Sequence, residues 1–265
     1  MSDGRWSDLT TRVLSAIVLV AIGAIEVWLG GIWFETFIAV ACGLMAWELV
    51  RMIEPQRTSV AAQLGILTCA VVFGVAELWR FEFSQVYTLP IVAALALVSA
   101  GQVNQSRGLC AVFMLWIAGA GLGFISIRET MGFTAMIWLI ALVVATDVAG
   151  YFVGKAVGGP KFWPKVSPKK TWSGTAGGWA AAALVGILFA VQGGFGVMFV
   201  VISVLASMAS QAGDIAESAV KRRFGVKDSS NLIPGHGGFL DRFDGMMGAA
   251  LFVLLAGLIY TPGAM

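Results

Sequence analysis

The sequence predicts an all-α, polytopic integral membrane protein with about nine transmembrane helices, and three observations lead to that prediction. The first is composition, because the chain of 265 residues is 58% hydrophobic and only 12% charged, against about 25% charged for an ordinary soluble domain. The second is that its apolar runs are continuous and do not alternate as barrel strands do. The third is a strongly uneven distribution of basic residues between successive loops.

Nine apolar segments fill most of the chain. A helix needs about 20 residues to cross a hydrocarbon core about 30 Å thick, and helices satisfy their own backbone hydrogen bonds in lipid. The predicted spans are 13–30, 32–50, 59–78, 86–102, 108–127, 132–150, 176–192, 195–212 and 245–261. Only Gly30 and Gly31 separate the first two spans, so that boundary is soft. We interpret residues 1–265 as a single membrane domain.

The basic residues predict the orientation of these helices. Of the 17 lysines and arginines, 15 fall in the N-terminus or in the loops after the second, fourth, sixth and eighth spans, and only Arg80 and Arg128 fall on the other side. Cytoplasmic loops carry the excess of Lys and Arg, so the N-terminus is predicted to be cytoplasmic. The net charge of +2 is no indication of nucleic-acid binding, and the chain has no Arg-rich helix or aromatic RNA-binding pattern.

Polar residues concentrate in two of the predicted cytoplasmic loops, 147–175 and 210–244. By the predicted spans, Asp147 closes the sixth helix, Asp214 closes the eighth, and Asp241 and Asp244 open the ninth. All four acids are therefore expected at one depth on one face of the membrane. Acids at a membrane boundary are costly unless they are paired, and they indicate a functional site.

The spacing of these residues favours a site for a divalent metal and phosphate. Residues four apart on a helix share a face, which puts Asp214 and Ser218 on one stripe with Glu217 and Lys221. Mg²⁺ takes a few carboxylates and keeps its other positions for water and phosphate oxygens. Lysine and arginine side chains would neutralise a polyphosphate.

Several of these residues also have a purely structural interpretation. Asp147 could be an ordinary acid at a helix end, and Lys169 and Lys170 could be charges that bind anionic headgroups. His236 could be a structural hydrogen-bond donor. Acids near other predicted helix ends are assigned interfacial or structural roles: Glu26, Glu35, Glu48, Glu54 and Glu77.

Residues 218–244 resemble the signature of a known family. The stretch reads Ser218-Ala-Val-Lys221-Arg222, then Lys227-Asp228, then Pro234-Gly-His236-Gly237-Gly238-Phe-Leu-Asp241-Arg242-Phe-Asp244. It resembles the phosphatidate cytidylyltransferases, also called CDP-diglyceride synthases. Other stretches of the C-terminal half are similar: Asp147…Gly150-Tyr151-Phe-Val-Gly154-Lys155, Ser167-Pro-Lys-Lys-Thr-Trp and Gly213-Asp214…Glu217-Ser218. One position departs from the pattern, because Ser173 stands where family members often carry an acid.

The resemblance implies a polytopic enzyme, a homodimer, that makes CDP-diacylglycerol from CTP and phosphatidic acid at the cytoplasmic interface. The compact chain, with no recognisable transit peptide, favours a bacterial inner membrane. The resemblance also implies N-terminal helices in 1–130 and catalytic helices and loops in 131–265. Carried over by position, Asp214, Asp241 and Asp244 would bind Mg²⁺, with a monovalent cation such as K⁺ as a possible second ion, and Lys221 would join them in catalysis. The expected substrate-binding residues are Ser218, Arg222, Lys227, His236, Arg242, Lys169, Lys170 and Asp147.

Three other functions compete with this interpretation. A transporter or channel also carries acids near helix ends, but here the acids gather on one face and no inverted repeat is visible. Another lipid-linked transferase, such as a CTP-dependent polyprenol kinase or a CDP-alcohol phosphotransferase, is chemically closer. A third alternative, an inactive family member that acts as a scaffold, is disfavoured because the polar positions of the signature are all present.

Overall fold

The computed structural model describes residues 3–83, 85–193 and 196–260, and within those ranges it is a bundle of nine α-helices. The helices are α1 (Asp3–Leu29), α2 (Gly31–Ile53), α3 (Thr58–Arg80), α4 (Thr88–Gln102), α5 (Arg107–Ser126), α6 (Phe133–Val157), α7 (Trp172–Gly193), α8 (Val197–Arg223) and α9 (Leu240–Tyr260). A single 3₁₀ turn (Gln85–Tyr87) precedes α4, a π-helical turn (Ile127–Met131) continues α5, and two short strands, β1 (Lys161–Trp163) and β2 (Ser167–Thr171), precede α7.

Each of the nine helices overlaps one of the nine predicted spans, so the predicted helical membrane architecture is confirmed. Seven of them, α1 to α3 and α5 to α8, are long and apolar enough to cross a membrane. Within the described residues, α4 and α9 are not among these seven. With 15 residues, α4 is about 22 Å long at 1.5 Å per residue, which is less than the thickness of a hydrocarbon core.

The predicted ends of two helices are wrong. α6 continues to Val157 and α8 continues to Arg223, so Asp147 and Asp214 lie well inside these helices and do not close them. The predicted boundaries followed hydropathy, which marks the end of an apolar run. The hydrogen-bonded helix itself continues through polar residues. The start of α9 at Leu240 puts Asp241 in its first turn and Asp244 at the start of its second, so both acids open this helix as predicted.

The loop between α6 and α7 contains a β-hairpin, which the all-α prediction omitted. β1 and β2 are antiparallel, with Lys161 opposite Thr171 and Trp163 opposite Ser167. The Trp172 N–H donates to the Pro160 carbonyl at 3.1 Å, which ties the end of the hairpin to its beginning. This hairpin gives the loop a defined geometry at the end of the bundle where the acids lie.

Small residues allow the helices to approach closely. A Cβ atom added to Gly43 would lie 2.8 Å from the Gly65 carbonyl oxygen, and one added to Gly65 would lie 2.8 Å from that of Gly43. Helices in membranes associate through such contacts because lipid provides no hydrophobic driving force. α2 and α5 occupy the centre of the bundle, whereas α1 packs at its edge, with only 6% of its apolar stretch buried.

The two basic residues on the predicted outer side are both held by polar partners. Arg80 forms ion pairs with Glu35 at 2.5 Å and with Glu77 at 3.2 Å. Arg128 donates to the Val27 carbonyl at 2.7 Å. These contacts explain how the two cations are accommodated there, and they agree with the structural roles expected for Glu35 and Glu77.

Glu54 also has the structural role expected of it. Its carboxylate accepts hydrogen bonds from the backbone N–H groups of Asn104 at 2.6 Å and Gln105 at 2.9 Å, and it pairs with Arg57 at 3.2 Å. Burial alone would raise the pKa of Glu54, but these donors outweigh burial and hold the pKa below its ordinary value. Glu54 therefore joins the end of α2 to the turn between α4 and α5.

Candidate active site

A close contact between α8 and α9 brings the central acids of the site together. A Cβ atom on Gly213 would lie 2.5 Å from the Asp244 carbonyl oxygen, and one on Gly248 would collide with the Ala209 carbonyl. Because neither glycine has a side chain, the two backbones touch at this level. Asp214 follows Gly213 in the chain, and it is close enough for its charge to act on Asp244.

Three carboxylates, Asp147 of α6, Asp214 of α8 and Asp244 of α9, are close enough to repel one another. Asp244 lies near the start of α9, ahead of the apolar stretch 245–260. Burial raises the pKa of Asp244 to about 7, and the negative charge of Asp214 adds to the shift. The group is thus an electrostatically crowded pocket that a cation would stabilise.

The β-hairpin supplies one cation to this group. Lys170 of β2 forms an ion pair with Asp214 and interacts electrostatically with Asp147. Successive side chains of a strand point to opposite faces, and Lys169 is accordingly exposed. The sequence predicted a substrate-binding role for both lysines, and the structure brings only Lys170 into contact with the acids.

The residues after the hairpin hold it in place. The Thr171 hydroxyl accepts a hydrogen bond from the Gly174 N–H at 3.2 Å in the first turn of α7, as an N-cap residue does. Ser173, the position that departs from the family pattern, donates to the Gly158 carbonyl. Ser173 therefore joins the two ends of the loop.

Lys221 and Asp241 form a second buried group next to the first. The Lys221 ammonium lies 2.7 Å from Asp241 and 2.7 Å from Glu217. The other oxygen of Asp241 accepts from the Ser229 N–H, the Ser229 hydroxyl and the Gly238 N–H, each at 2.8 Å. Burial would raise the pKa of Asp241, but these donors, led by Lys221, outweigh it and keep the pKa below its ordinary value.

Glu48 of α2, which the sequence analysis assigned an interfacial or structural role, anchors the loop that carries the signature. One of its oxygens accepts from the Ser230 hydroxyl at 2.6 Å and the Phe239 N–H at 3.0 Å. The other accepts from the Leu240 N–H at 2.7 Å and lies 3.1 Å from the Ser229 hydroxyl. Two of these donors are free N–H groups at the start of α9, so Glu48 caps that helix.

Glu48 was recognisable from sequence only as an acid inside an apolar span, which is itself a signal of function or pairing. Nothing in the pattern of residues connected it to the loop 228–240. Gly238 shows why the fit is close, because a Cβ there would collide with Glu48 and with the Ser229 hydroxyl. The signature glycine at this position thus packs against Glu48, and its N–H group is used by Asp241.

The remaining predicted site residues lie at the surface of the same loops. Arg222, Lys227 and Arg242 are exposed, and Arg222 donates to the Val226 carbonyl at 3.0 Å. His236 is half-buried, with Nδ1 3.5 Å from the Pro234 carbonyl. The Ser218 hydroxyl donates to Asp214 at 3.3 Å.

The acids predicted to bind metal differ in their surroundings. Asp214 and Asp244 share the crowded group with Asp147, whereas Asp241 is engaged by Lys221 and the loop. Across residues 3–83, 85–193 and 196–260, no three His, Cys, Asp or Glu side chains lie close enough together to hold a metal ion as they stand. The carboxylates of Asp147, Asp214 and Asp244 are nevertheless oxygen ligands of the kind that Mg²⁺ takes, and a cation would relieve their mutual repulsion.

Buried carboxylates, a buried lysine and a set of exposed cations at one end of a membrane helix bundle define a class of protein, the membrane-embedded transferases that act on phosphate groups. The comparisons with known proteins narrow this class. Residues 10–260 match the model of the cytidylyltransferase family, so the chain belongs to the cytidylyltransferase family. The resemblance seen in the signature is confirmed.

Curated relatives extend over nearly the whole chain. The phosphatidate cytidylyltransferase of Brucella suis is 41% identical over 263 residues, covering 96% of this chain and 95% of that protein. The phosphatidate cytidylyltransferase of Bacillus subtilis is 30% identical over 253 residues, covering 91% and 94%. The protein of the same name from Staphylococcus epidermidis is 29% identical over 249 residues. The similarity therefore includes the N-terminal helices, whereas the motifs that carry the resemblance all lie in the C-terminal half.

Proposed function

We propose that the protein transfers CMP from CTP to phosphatidic acid, giving CDP-diacylglycerol and pyrophosphate for phospholipid biosynthesis. The observation that carries this proposal is the signature loop 218–244. This loop carries the signature that resembles the cytidylyltransferase family. In the structure it folds around the buried Lys221–Asp241 pair, beside the acids Asp214 and Asp244. Relatives that cover more than 90% of the chain carry the same activity in their names.

In the proposed reaction, an oxygen of the phosphatidate phosphate attacks the α-phosphorus of CTP. The new P–O bond joins CMP to the lipid phosphate, and the bond between the α-phosphorus and the oxygen that bridges to the β-phosphate breaks. Pyrophosphate leaves with the electron pair of that bond. Since the nucleophile is already anionic, the protein needs no nucleophilic side chain, and its contribution is positioning and charge stabilisation.

The cations of the site fit these tasks. Lys170 and Lys221 are positioned by carboxylates, so their charges are fixed near the acids before substrate binds. Arg222, Lys227 and Arg242 are exposed at positions from which they can reach a triphosphate or a lipid phosphate, and Lys169 lies exposed on the hairpin. Ser218 and His236 would donate hydrogen bonds to the same groups.

We propose Mg²⁺ as the cofactor, held by Asp214, Asp244 and Asp241. Asp147 would act on the metal indirectly, without binding it. K⁺ is the proposed second ion. Mg²⁺ held by these residues would supply positive charge that stabilises the phosphate groups and the leaving pyrophosphate. Asp241 could join the metal only if Lys221 remained with Glu217. The Lys221 ammonium already contacts both acids, so this exchange requires no large movement.

The proposed location is a bacterial inner membrane, with the site at the cytoplasmic face and the protein a homodimer. The distribution of basic residues supports the orientation, because the site lies at the end of the bundle that carries the excess of Lys and Arg. A soluble nucleotide and a lipid headgroup can meet only at such an interface.

The experiment that tests this function is transfer of radiolabel from CTP into chloroform-soluble lipid by the purified protein with phosphatidic acid. We expect labelling that requires Mg²⁺ and that falls by about 100-fold or more in Asp241→Asn and Asp244→Asn, the range seen when an electrostatic element of catalysis is removed. Glu82→Gln, which changes an exposed acid outside the helices, is the matched control and should retain activity. A folded wild-type protein that never labels lipid would exclude the proposed function.

A further inference from the structure

A groove of about 860 Å³ runs along the bundle between α5, α8 and α9, and its far end is formed by α4 and the end of α3. We call it the apolar groove. The residues that define its length are Trp116, Gly119, Leu122, Leu251, Phe252 and Leu255. A volume of this order is what a pocket for an organic ligand of moderate size needs.

The near end of the apolar groove lies at the contact between α8 and α9, next to the candidate active site. Gly213 and Gly248 line it, and these are the glycines that bring α8 and α9 into contact. Gly213 precedes Asp214 in the chain, and Gly248 lies one helical turn beyond Asp244. Trp116 forms the wall at this point, 3.1 Å from where a Cβ of Gly213 would lie.

The chemistry of the lining favours hydrocarbon. Among the lining residues that the structure describes, none is charged and Thr88 carries the single hydroxyl group. That hydroxyl accepts a hydrogen bond from the Trp79 indole N–H at 2.9 Å. The indole N–H at the far end is therefore already used, which leaves a polar ligand few partners there.

The apolar groove is open along one side and closed at its floor. Leu89 and Val112 at the rim are 74% and 61% exposed, whereas Val92 and Leu122 on the floor are 6% and 1% exposed. In a single copy of the chain placed in a membrane, this open side would face lipid. A chain could therefore enter sideways from the bilayer while the group attached to it stayed at the acids.

We propose that the apolar groove binds an acyl chain of the phosphatidate substrate and so fixes the position of its phosphate beside Asp214 and Asp244. This inference rests on the proposed function. The interior of the bilayer is as apolar as the groove, so transferring the chain between them gains little. What the groove adds is a fixed direction from the chain to the headgroup, which raises the fraction of bound lipid whose phosphate is in position to attack.

The test fills the apolar groove and compares two substrates. Gly119→Leu places a side chain in the middle of the groove, where the new Cβ would lie 3.0 Å from the flexible end of Leu251. Leu255→Trp narrows its far end from a half-exposed position. Each variant is assayed with CTP and either dioleoyl phosphatidate in mixed micelles or water-soluble dibutyryl phosphatidate, whose four-carbon chains end near the acids.

We expect both variants to lower kcat/KM for dioleoyl phosphatidate by about tenfold, the effect typical of one misfitting apolar group in a pocket, with the KM for CTP unchanged. Activity with dibutyryl phosphatidate should stay at the wild-type level, which also shows that the variants fold. Gly74→Leu is the control, because it adds the same side chain to a helix at a position where a Cβ meets nothing within 4 Å.

Three results would overturn the inference, and they differ from one another. Equal activity of wild type and variants with both substrates would mean that only bulk lipid occupies the groove. An equal loss with both substrates, together with a change of oligomeric state in chemical cross-linking, would mean that a second copy of the chain covers it. A wild-type protein inactive with both substrates would instead remove the proposed function on which the inference rests.

Discussion

Glu48 and Leu240 are 192 residues apart in the chain, yet the Glu48 carboxyl group accepts a hydrogen bond from the Leu240 N–H at 2.7 Å. This contact joins the second helix to the first residue of α9, immediately before Asp241. The N-terminal half thus contributes directly to the geometry of a site whose recognisable motifs all lie in the C-terminal half.

We predict that Glu48→Gln lowers the kcat of lipid labelling. A glutamine side chain has one oxygen, and whichever way the amide turns, its NH₂ group faces the N–H of Phe239 or of Leu240. Loss of such hydrogen bonds to a buried acceptor costs about 1.5 to 3 kcal/mol each, which corresponds to about a tenfold to hundredfold fall in activity if the loop no longer holds Asp241 in place. Steady-state kinetics with CTP and phosphatidate would measure it.

Glu35→Gln is the control for this prediction, since it makes the same change at a buried position in the same helix, at the end that pairs with Arg80. It should lower thermal stability and leave kcat nearly unchanged. An equal loss of kcat in both variants would mean that Glu48 acts only through the stability of α2.

Lys170 and Lys169 provide a second, matched pair. Because only Lys170 contacts Asp214, we predict that Lys170→Ala lowers kcat/KM by about 100-fold, the cost of removing one positioned electrostatic group. Lys169→Ala should lower it severalfold at most, since an exposed cation is screened by salt. Steady-state kinetics at low and high ionic strength would distinguish the effect of Lys170 from that of Lys169. A larger loss of kcat/KM in Lys169→Ala than in Lys170→Ala would contradict the assignment.

The contact between α8 and α9 is predicted to tolerate no side chain. Gly213→Ala would place a methyl group 2.5 Å from the Asp244 carbonyl, and overpacking of this kind costs about 1 to 3 kcal/mol. The separation of Asp214 from Asp244 would also increase, so we expect a loss of activity together with a lower apparent Tm. Gly108→Ala, at a position with open space around it, should change neither.

The sequence predicted the number of helices and the end of the bundle at which the acids lie. Continuous apolar runs predicted the nine helices, because the length needed to cross a bilayer is a property of each segment alone. Because successive spans alternate in direction, the sequence also predicted that Asp214 and Asp244 lie on one face of the membrane. The structure puts both acids at the same end of the bundle. Where helices end, and how the short hairpin at Lys161–Thr171 folds, depends on hydrogen bonds that hydropathy does not record.

The contacts of Glu48 and Asp241 could not be predicted for a different reason. They depend on how one helix approaches a loop that lies some 180 residues later in the chain, and no local pattern carries that information. Sequence alone treated Asp241 as a free metal ligand. The structure shows that it already accepts four hydrogen bonds, led by that from Lys221.

The last prediction concerns Glu54, whose pKa is held below its ordinary value near 4.5 by Asn104, Gln105 and Arg57. A carboxyl group whose pKa is lowered by folding stabilises the protein above its unfolded pKa, and that stabilisation is lost as the pH falls through the folded pKa. Glu54→Gln should therefore lower the apparent Tm of the protein in detergent at pH 7, and the difference from wild type should shrink as the pH is taken below about 4. A difference that stayed constant down to acid pH would mean that the charge of Glu54 does not contribute to stability.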